Sequence, residues 1–375
     1  MSALPTQSFD TAELATHAPE KRLEVEERWV SFQPYLQSKG YQLRPRYRPG
    51  WVPSWIKTGA NPLECEDSPH VLPLRTLDAT RVNDKLQVFI KMIVPSDMDH
   101  EGRQELEILQ RFSAPPFSDD PTNHVVPLLD TFPIPEVEGG VFVVMPLLSK
   151  YKNPPFYNLS EIHDFLTQLF EGLEFLHLND VAHCDIAPAN VMMDKSPLFD
   201  EPFHPFHNHL SLDGQRTISP KYTRSQHPVR YYYIDFGYGK WFKDPTMPRT
   251  SVGMQAKERA PEQADGVVYD PFKVDIYQLG AIIRRDLIPR YKLLGVLLPL
   301  ARDMTNSDPR KRPNLQVAQI TLHTHFAGLP GWRTRWPLIA PDASFQQRIR
   351  LVISGLAAEL FVFLKQLLSL VRSQS

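Results

Sequence analysis

The chain has 375 residues, with 41 basic against 43 acidic side chains and a formal net charge of −2. That balance excludes the electrostatic footprint of a nucleic-acid binder or of a protein held mainly by acidic membrane. A hydrophobic content of 42% with 21 Phe excludes a disordered chain. The 36 prolines are nearly twice the usual share of about 5% and predict many rigid loops. Two cysteines, Cys65 and Cys184, make no disulfide framework, so a reducing, cytoplasmic setting is expected. The first residues do not place an apolar stretch after a basic one, so no signal peptide is expected. No uncharged apolar run approaches the ~18 residues of a membrane span.

Residues 1 to about 20 are polar and read as a loose terminus. From Glu20 to Lys39, Leu23, Trp29, Phe32 and Leu36 recur at helical spacing, with Pro34 and Gly40 marking the end. The segment Arg44 to Lys57 interleaves Arg44, Arg46 and Arg48 with Tyr47, Trp51 and Trp55. Charge with stacking surfaces can hold a nucleic-acid strand. The neutral whole favours an arm wrapped on the domain, aromatics buried and arginines solvated. Leu74 to Val82 and Leu86 to Val94, joined by Asn83-Asp84-Lys85, read as a hairpin. His100 to Phe112 reads as a helix, and Val125 to Thr131 and Val141 to Met145 as strands. After Ser160, a plausible N-cap, Phe165, Leu169, Leu173 and Leu176 share a helical stripe. The order is a small sheet with one helix followed by a mostly helical part, an α+β chain without internal repeats. Phe345 to Val371 reads as an amphipathic helix, with Ile349, Val352, Ile353, Leu356, Leu360, Phe363, Leu364 and Leu367 on its apolar face. Its basic residues are too few for a strong membrane-surface face, which favours packing on the helical part or a dimer contact.

The chemistry concentrates in His183-Cys184-Asp185-Ile186-Ala187-Pro188-Ala189-Asn190 and in Asp235-Phe236-Gly237. An acid that can orient a hydroxyl, an amide that can hold a metal and a second acid form a phosphoryl-transfer set. Three histidines in Phe203-His204-Pro205-Phe206-His207-Asn208-His209 invite a metal reading. No cysteine or acid cluster joins them, and a proline-rich surface insertion is the better reading.

With Val88-Phe89-Ile90-Lys91, Ala260-Pro261-Glu262, Asp275-Ile276-Tyr277-Gln278-Leu279-Gly280 and Arg310-Lys311-Arg312-Pro313 also in order, the chain resembles the eukaryotic protein kinase superfamily. The resemblance runs from about Leu74 to about Pro313. The flank Gly40-Tyr41-Gln42-Leu43-Arg44-Pro45-Arg46-Tyr47 is similar to that of fungal proteins with a kinase-like domain. The resemblance implies a bilobal fold: an extension over 1–70, a β-rich small lobe with one helix over 71–148, a mainly helical large lobe over 149–330 carrying an insertion at 195–230, and a helical tail over 331–375. It also implies ATP and Mg²⁺ as cofactors and a protein serine or threonine as acceptor. Lys91 would pair with the nucleotide phosphates and be held by Glu105, with Glu107 the less well registered alternative. Asp185 would orient the acceptor hydroxyl, and Asn190 and Asp235 would hold the metal. Phe89, Met145 and Met192 would line the adenine, Met145-Pro146-Leu147 would form the hinge, and His183 would pack beside Phe236. Asp275 would anchor the catalytic loop, and Arg312 would pair with Glu262.

Several departures point the other way. No Gly-x-Gly-x-x-Gly occurs, and between Gly50 and Leu77 the remaining glycine is Gly59, so the backbone cover over phosphate is altered or absent. Phe89 replaces a small residue over adenine. Ala187 replaces a cation at the transferring phosphoryl group, a loss of roughly 10²–10³ in rate by analogy with a missing oxyanion donor. Cys184 replaces the arginine that reads phosphorylation of the activation segment, where Thr246, Thr250 and Ser251 lie. Three readings follow: an active protein kinase, a pseudokinase scaffold with weak or no transfer, and a small-molecule kinase.

Overall fold

The structure, a computed structural model, describes residues 18–62, 65–68, 74–94, 104–205, 207, 209–253, 256–339 and 344–373. The loose terminus as far as residue 17, the start of the helix expected from His100, and Phe206 and Asn208 of the histidine-rich stretch lie outside these residues. The described chain packs into two units. The first takes in the described parts of Met1–Val94, Leu128–Leu147 and Phe199–Ser219, and the second the described parts of Pro95–Pro127, Leu148–Leu198 and Pro220–Ser375.

The first unit grows from the expected hairpin. Lys85 adopts φ +61° and Asp84 Oδ1 accepts the Leu86 N–H at 3.1 Å, closing the turn. Strand β2 (Thr76–Arg81) therefore pairs antiparallel with β3 (Gln87–Ile93), Thr76 opposite Lys91 and Asp78 opposite Phe89. With β1 (Tyr41–Leu43), β4 (Asp130–Pro133) and β5 (Val141–Pro146) they form one sheet in the order β1-β2-β3-β5-β4. The strand expected from Val125 starts later, and Val125 itself makes an isolated parallel bridge to Tyr233 in the second unit. Strand alternation sends Val88, Ile90 and Met92 into a core with Trp29, Leu36 and Phe142, which leaves Phe89 and Lys91 half-buried on the opposite face.

Helix α1 (Glu24–Ser38) packs Trp29, Gln33 and Leu36 against that core. Pro34 lies inside it, not at its end. The lost backbone hydrogen bond and ring clash cost about 3 kcal/mol, offset by the burial on either side. Gly40, at φ +88°, does mark the exit, where the left-handed backbone favours glycine. The arm after β1 differs from expectation in its arginines. Tyr47 and Trp55 are buried as anticipated, but Arg46 is also fully buried. It presents Nε and Nη2 to the Glu26 carboxylate at 2.6 and 3.0 Å and donates to the Lys21 carbonyl. Arg44 likewise reaches Asp78 at 2.8 Å. A planar guanidinium can be buried when its fork meets a carboxylate and its remaining N–H groups meet carbonyls. The histidine-rich stretch is not simply surface either. His204 is fully buried with Nε2 3.8 Å from Glu66, although no group of three or more His, Cys, Asp or Glu suited to a metal occurs among the described residues.

In the second unit, the helix expected after Ser160 runs Leu159–Leu178 (α3, following α2, Glu105–Phe112). Its cap is Asn158, whose side-chain oxygen accepts the Glu161 N–H at 3.0 Å. Ser160 lies inside the first turn and donates to that same oxygen, since only the residue before the helix can turn its side chain onto the free N–H groups. Strands β6 (Ser149–Lys150), β8 (Val191–Asp194) and β9 (Arg230–Tyr233) form a small antiparallel sheet, and β7 (Val181–Ala182) pairs with β10 (Lys240–Trp241). Helix α4 (Pro271–Ala281) crosses α5 (Leu298–Met304) where Gly280 meets Met304. Later, α6 (Leu315–Ala327) and the long C-terminal helix α7 (Phe345–Ser373) complete the described unit. Helix α7 is fixed by a Tyr157–Ser354 hydroxyl contact, an Arg335–Glu359 ion pair and Gly355 against Pro337. Ile353, Leu356, Leu360 and Phe363 remain more than half exposed, so only one strip of the helix packs; the side chain of Leu367 is outside the described residues. No described helix is long and apolar enough to cross a membrane. The bilobal protein-kinase type of architecture expected from the sequence, an antiparallel β-rich part and a mainly helical part, is the one observed.

Candidate active site

The loop from His183 to Asn190 links β7 to β8 and is held from below by α4. Asp275, fully buried, accepts the backbone N–H of His183 at 2.9 Å and of Cys184 at 2.7 Å, and its Oδ2 also meets His177 Nε2. Gln278, one turn on, accepts the Ile186 N–H at 2.8 Å and donates to the Cys184 carbonyl. Four loop groups are thus satisfied by two side chains on one helix face, which spares the buried loop the cost of unpaired polar atoms. Cys184 takes φ +66°, an uncommon state for a non-glycine residue. Burial, and secondarily the Asp275 carboxylate, raise its thiol well above the ordinary range, so it is no nucleophile. His183 packs its ring 4.7 Å from that of Phe236, with Nε2 on the Ile234 carbonyl and Nδ1 facing the Asp185 N–H. It is a packing residue, as expected, and it ties the loop to the strand end before Asp235.

Asp185, Asn190 and Asp235 come together. The Asn190 amide nitrogen donates to the Asp185 carbonyl and to Asp185 Oδ2, both at 2.8 Å. That orientation turns Asn190 Oδ1 outward. Asp235, at φ +63°, follows β9 and brings Oδ2 to the same place. The meeting point is marked by a cation absent from the sequence reading. The Lys257 ammonium lies 2.7 Å from Asn190 Oδ1, 3.2 Å from Asp235 Oδ2 and 3.2 Å from Asp185 Oδ2. Three oxygen donors converging on a stand-in cation fit a hard divalent ion that keeps much of its shell as water or phosphate. Farther along, Arg312 clamps Glu262 through two hydrogen bonds at 2.5 and 2.7 Å.

A family model described as the protein kinase domain matches residues 76–293, more than half of the chain. The chain belongs to the protein kinase family. Among curated relatives it is similar to serine/threonine-protein kinase stk11 of Xenopus laevis, 30% identical over 191 residues that cover 44% of this chain and 37% of that protein. Serine/threonine-protein kinase prpf4B of Dictyostelium discoideum is 28% identical over 122 residues, 31% of this chain and 15% of that protein. Serine/threonine-protein kinase ATG1 of Pyricularia oryzae is 27% identical over 143 residues, 38% of this chain and 14% of that protein. The matches span at most 37% of these relatives' lengths. Family membership implies ATP and divalent-metal use in general.

The other residues expected at the site lie on further strands and on α2. Phe89, Lys91 and Met145 are on the five-stranded sheet of the first unit, Met145 directly opposite Phe89 and Val143 opposite Lys91. Met192 is on β8 of the second unit, opposite Tyr232. The helix acids separate by environment: Glu105 is buried, whereas Glu107 is about half exposed and binds Lys243 at 2.8 Å. The face of the sheet carrying Phe89 and Lys91 also carries Asp78, paired with Arg44. Sequence reasoning missed Lys257 and Gln278. Lys257 had one signal, a position three residues before Ala260-Pro261-Glu262. Nothing local links it to Asn190, 67 positions away.

Proposed function

We propose that the chain is an active ATP-dependent protein kinase that transfers the γ-phosphoryl group to a serine or threonine hydroxyl. The observation that carries this reading is the convergence of Asp185 Oδ2, Asn190 Oδ1 and Asp235 Oδ2 around one cationic point. Two carboxylates and an amide oxygen turned to one point are the hard oxygen ligands that a divalent ion takes, and the acid able to orient an acceptor hydroxyl stands among them. Asn190 and Asp235 would hold Mg²⁺, which when bound offsets charge on the phosphates. Asp185 accepts the proton of the acceptor hydroxyl as that oxygen bonds to the γ-phosphorus and the bond to the departing ADP oxygen breaks. Lys91 and Glu105 position the nucleotide, and Phe89, Met145 and Met192 border the base. The three relatives, each a serine/threonine-protein kinase by name, support serine or threonine as acceptor.

A second reading, a pseudokinase scaffold, draws on the Asp78–Arg44 pair beside Phe89, a charged arrangement on the sheet face assigned to the base. The test is thermal stabilisation of the purified chain by ATP with and without Mg²⁺, followed by radiolabelled phosphate transfer, with Asp185→Ala alongside. Transfer that falls about 10²–10⁴-fold in the variant supports the enzyme. Nucleotide stabilisation without transfer supports the scaffold. Transfer to a metabolite and to no protein assigns a small-molecule kinase.

A further inference from the structure

Ala187 leaves the catalytic loop without the cation that would face the transferring phosphoryl group, yet a cation is present. Lys257 reaches the site from the activation segment. Its backbone N–H donates to Asp185 Oδ1 at 2.6 Å, which fixes its Cα beside the loop. Its ammonium then spans Asp185 Oδ2, Asn190 Oδ1 and Asp235 Oδ2. The next residue is anchored on both sides. The Glu258 carbonyl accepts from Gln278 Nε2 at 3.0 Å, the same nitrogen that holds the Cys184 carbonyl, and the Glu258 carboxylate pairs with Arg285. Gln278 therefore ties the Lys257 segment and the catalytic loop together. The Lys257 side chain is 48% exposed, so it is not a buried ion serving only to neutralise a core. It has one face toward the oxygen donors and one face open.

We propose that Lys257 supplies, from the activation segment, the cation that Ala187 cannot, and that it offsets the charge developing on the γ-phosphoryl group during transfer. This rests on the kinase reading above and deepens it. The bond changes are those already given: the acceptor oxygen bonds to the γ-phosphorus, the bridging bond to ADP breaks, and the hydroxyl proton goes to Asp185. Lys257 gains and loses no proton; with Asn190 Oδ1 and Asp235 Oδ2 given over to the metal, its ammonium keeps Asp185 Oδ2, 3.2 Å away, as its partner beside the transferring group. Because the charge comes from a different element, the activation segment must be in place for transfer to run, which links its conformation directly to rate.

The experiment compares wild type, Lys257→Met, Lys257→Arg and the double variant Lys257→Met/Ala187→Lys. Lys257→Met is expected to lower kcat for transfer by roughly 10²–10³, to leave Kd for a Mg²⁺-bound non-hydrolysable ATP analogue within about threefold, and to melt within a few degrees of wild type. The double variant returns the charge from the loop and is expected to regain at least about tenfold of the lost rate; Lys257→Arg keeps most of it. Should Lys257→Met fold poorly, Lys257→Arg against Lys257→Gln gives the same comparison at similar size. A Lys257→Met variant that transfers as fast as wild type or faster, with tighter Mg²⁺ binding, would show that the ammonium merely competes with the metal and would overturn the inference. A loss that Ala187→Lys does not restore would overturn it too. Wild type without any transfer defeats the kinase reading itself, a result distinct from an active wild type with an indifferent Lys257.

Discussion

Arg46 and Glu26 form a two-point ion pair inside the first unit, at 2.6 and 3.0 Å, with exposures of 0% and 1%. The pair joins α1 to the arm after β1. Removing one partner strands a buried charge, which costs about 3–5 kcal/mol, whereas replacing both with apolar residues is often far milder. Arg46→Met is therefore expected to lower the urea midpoint strongly, and Arg46→Met/Glu26→Leu to recover much of it. A single variant as stable as wild type would show that the pair is not what fixes the arm.

Asp275 is the floor of the catalytic loop. Asparagine keeps its shape but has one oxygen acceptor in place of two, so one of the His183 and Cys184 amides loses its partner. Asp275→Asn is expected to cost about 1–3 kcal/mol and to speed hydrogen exchange at those two amides before the core. Unchanged protection there would remove Asp275 from its anchoring role.

His124 gives the fold an acid sensitivity. Its ring is buried with Nδ1 on the Tyr231 carbonyl at 2.8 Å, and the nearest facing carboxylate is Glu171, 4.0 Å from Nε2. Burial pushes its pKa down to about 4. Above the ordinary histidine value of about 6.5, both folded and unfolded chains hold it neutral and it adds no pH dependence. Between about 6.5 and 4, the unfolded chain takes up a proton that the folded chain refuses, so stability falls as pH falls, by up to about 3 kcal/mol. In urea titrations across that range, His124→Gln should flatten the slope; an identical slope would assign the sensitivity to other groups.

Gly280 marks the closest approach of α4 and α5. A methyl group there would lie 2.5 Å from the Met304 Cβ, closer than packed atoms tolerate. Gly280→Ala is expected to destabilise by about 1–3 kcal/mol through overpacking, although alanine favours helix. Thermal melting separates the outcomes: a raised midpoint would mean that the helices part at no cost.

The sequence alone was enough for the order of the parts. The order of the motifs offered Asp185, Asn190 and Asp235 as candidates for the site. Period-two alternation around Asn83-Asp84-Lys85 marked the hairpin, because that signal is local and repeats at the period of the backbone. The amphipathic stretch from Phe345 was legible for the same reason. Its exposed strip was not, since helical spacing shows a face but not what covers it.

Tertiary structure decided what needed distant partners. Arg44 and Arg46 read as solvated because arginine is rarely buried; Asp78 and Glu26, 34 and 20 positions away, make burial affordable. Pro34 stays in its helix because the core on either side outweighs its cost. Asn158 caps the helix in place of Ser160, because only the residue before the helix can turn its side-chain oxygen onto the free N–H groups. Ala187 reads as a missing charge when the loop is taken by itself. Folding brings Lys257 across 72 positions to Asp185, since an ion pair depends on distance in space and leaves no mark in local sequence.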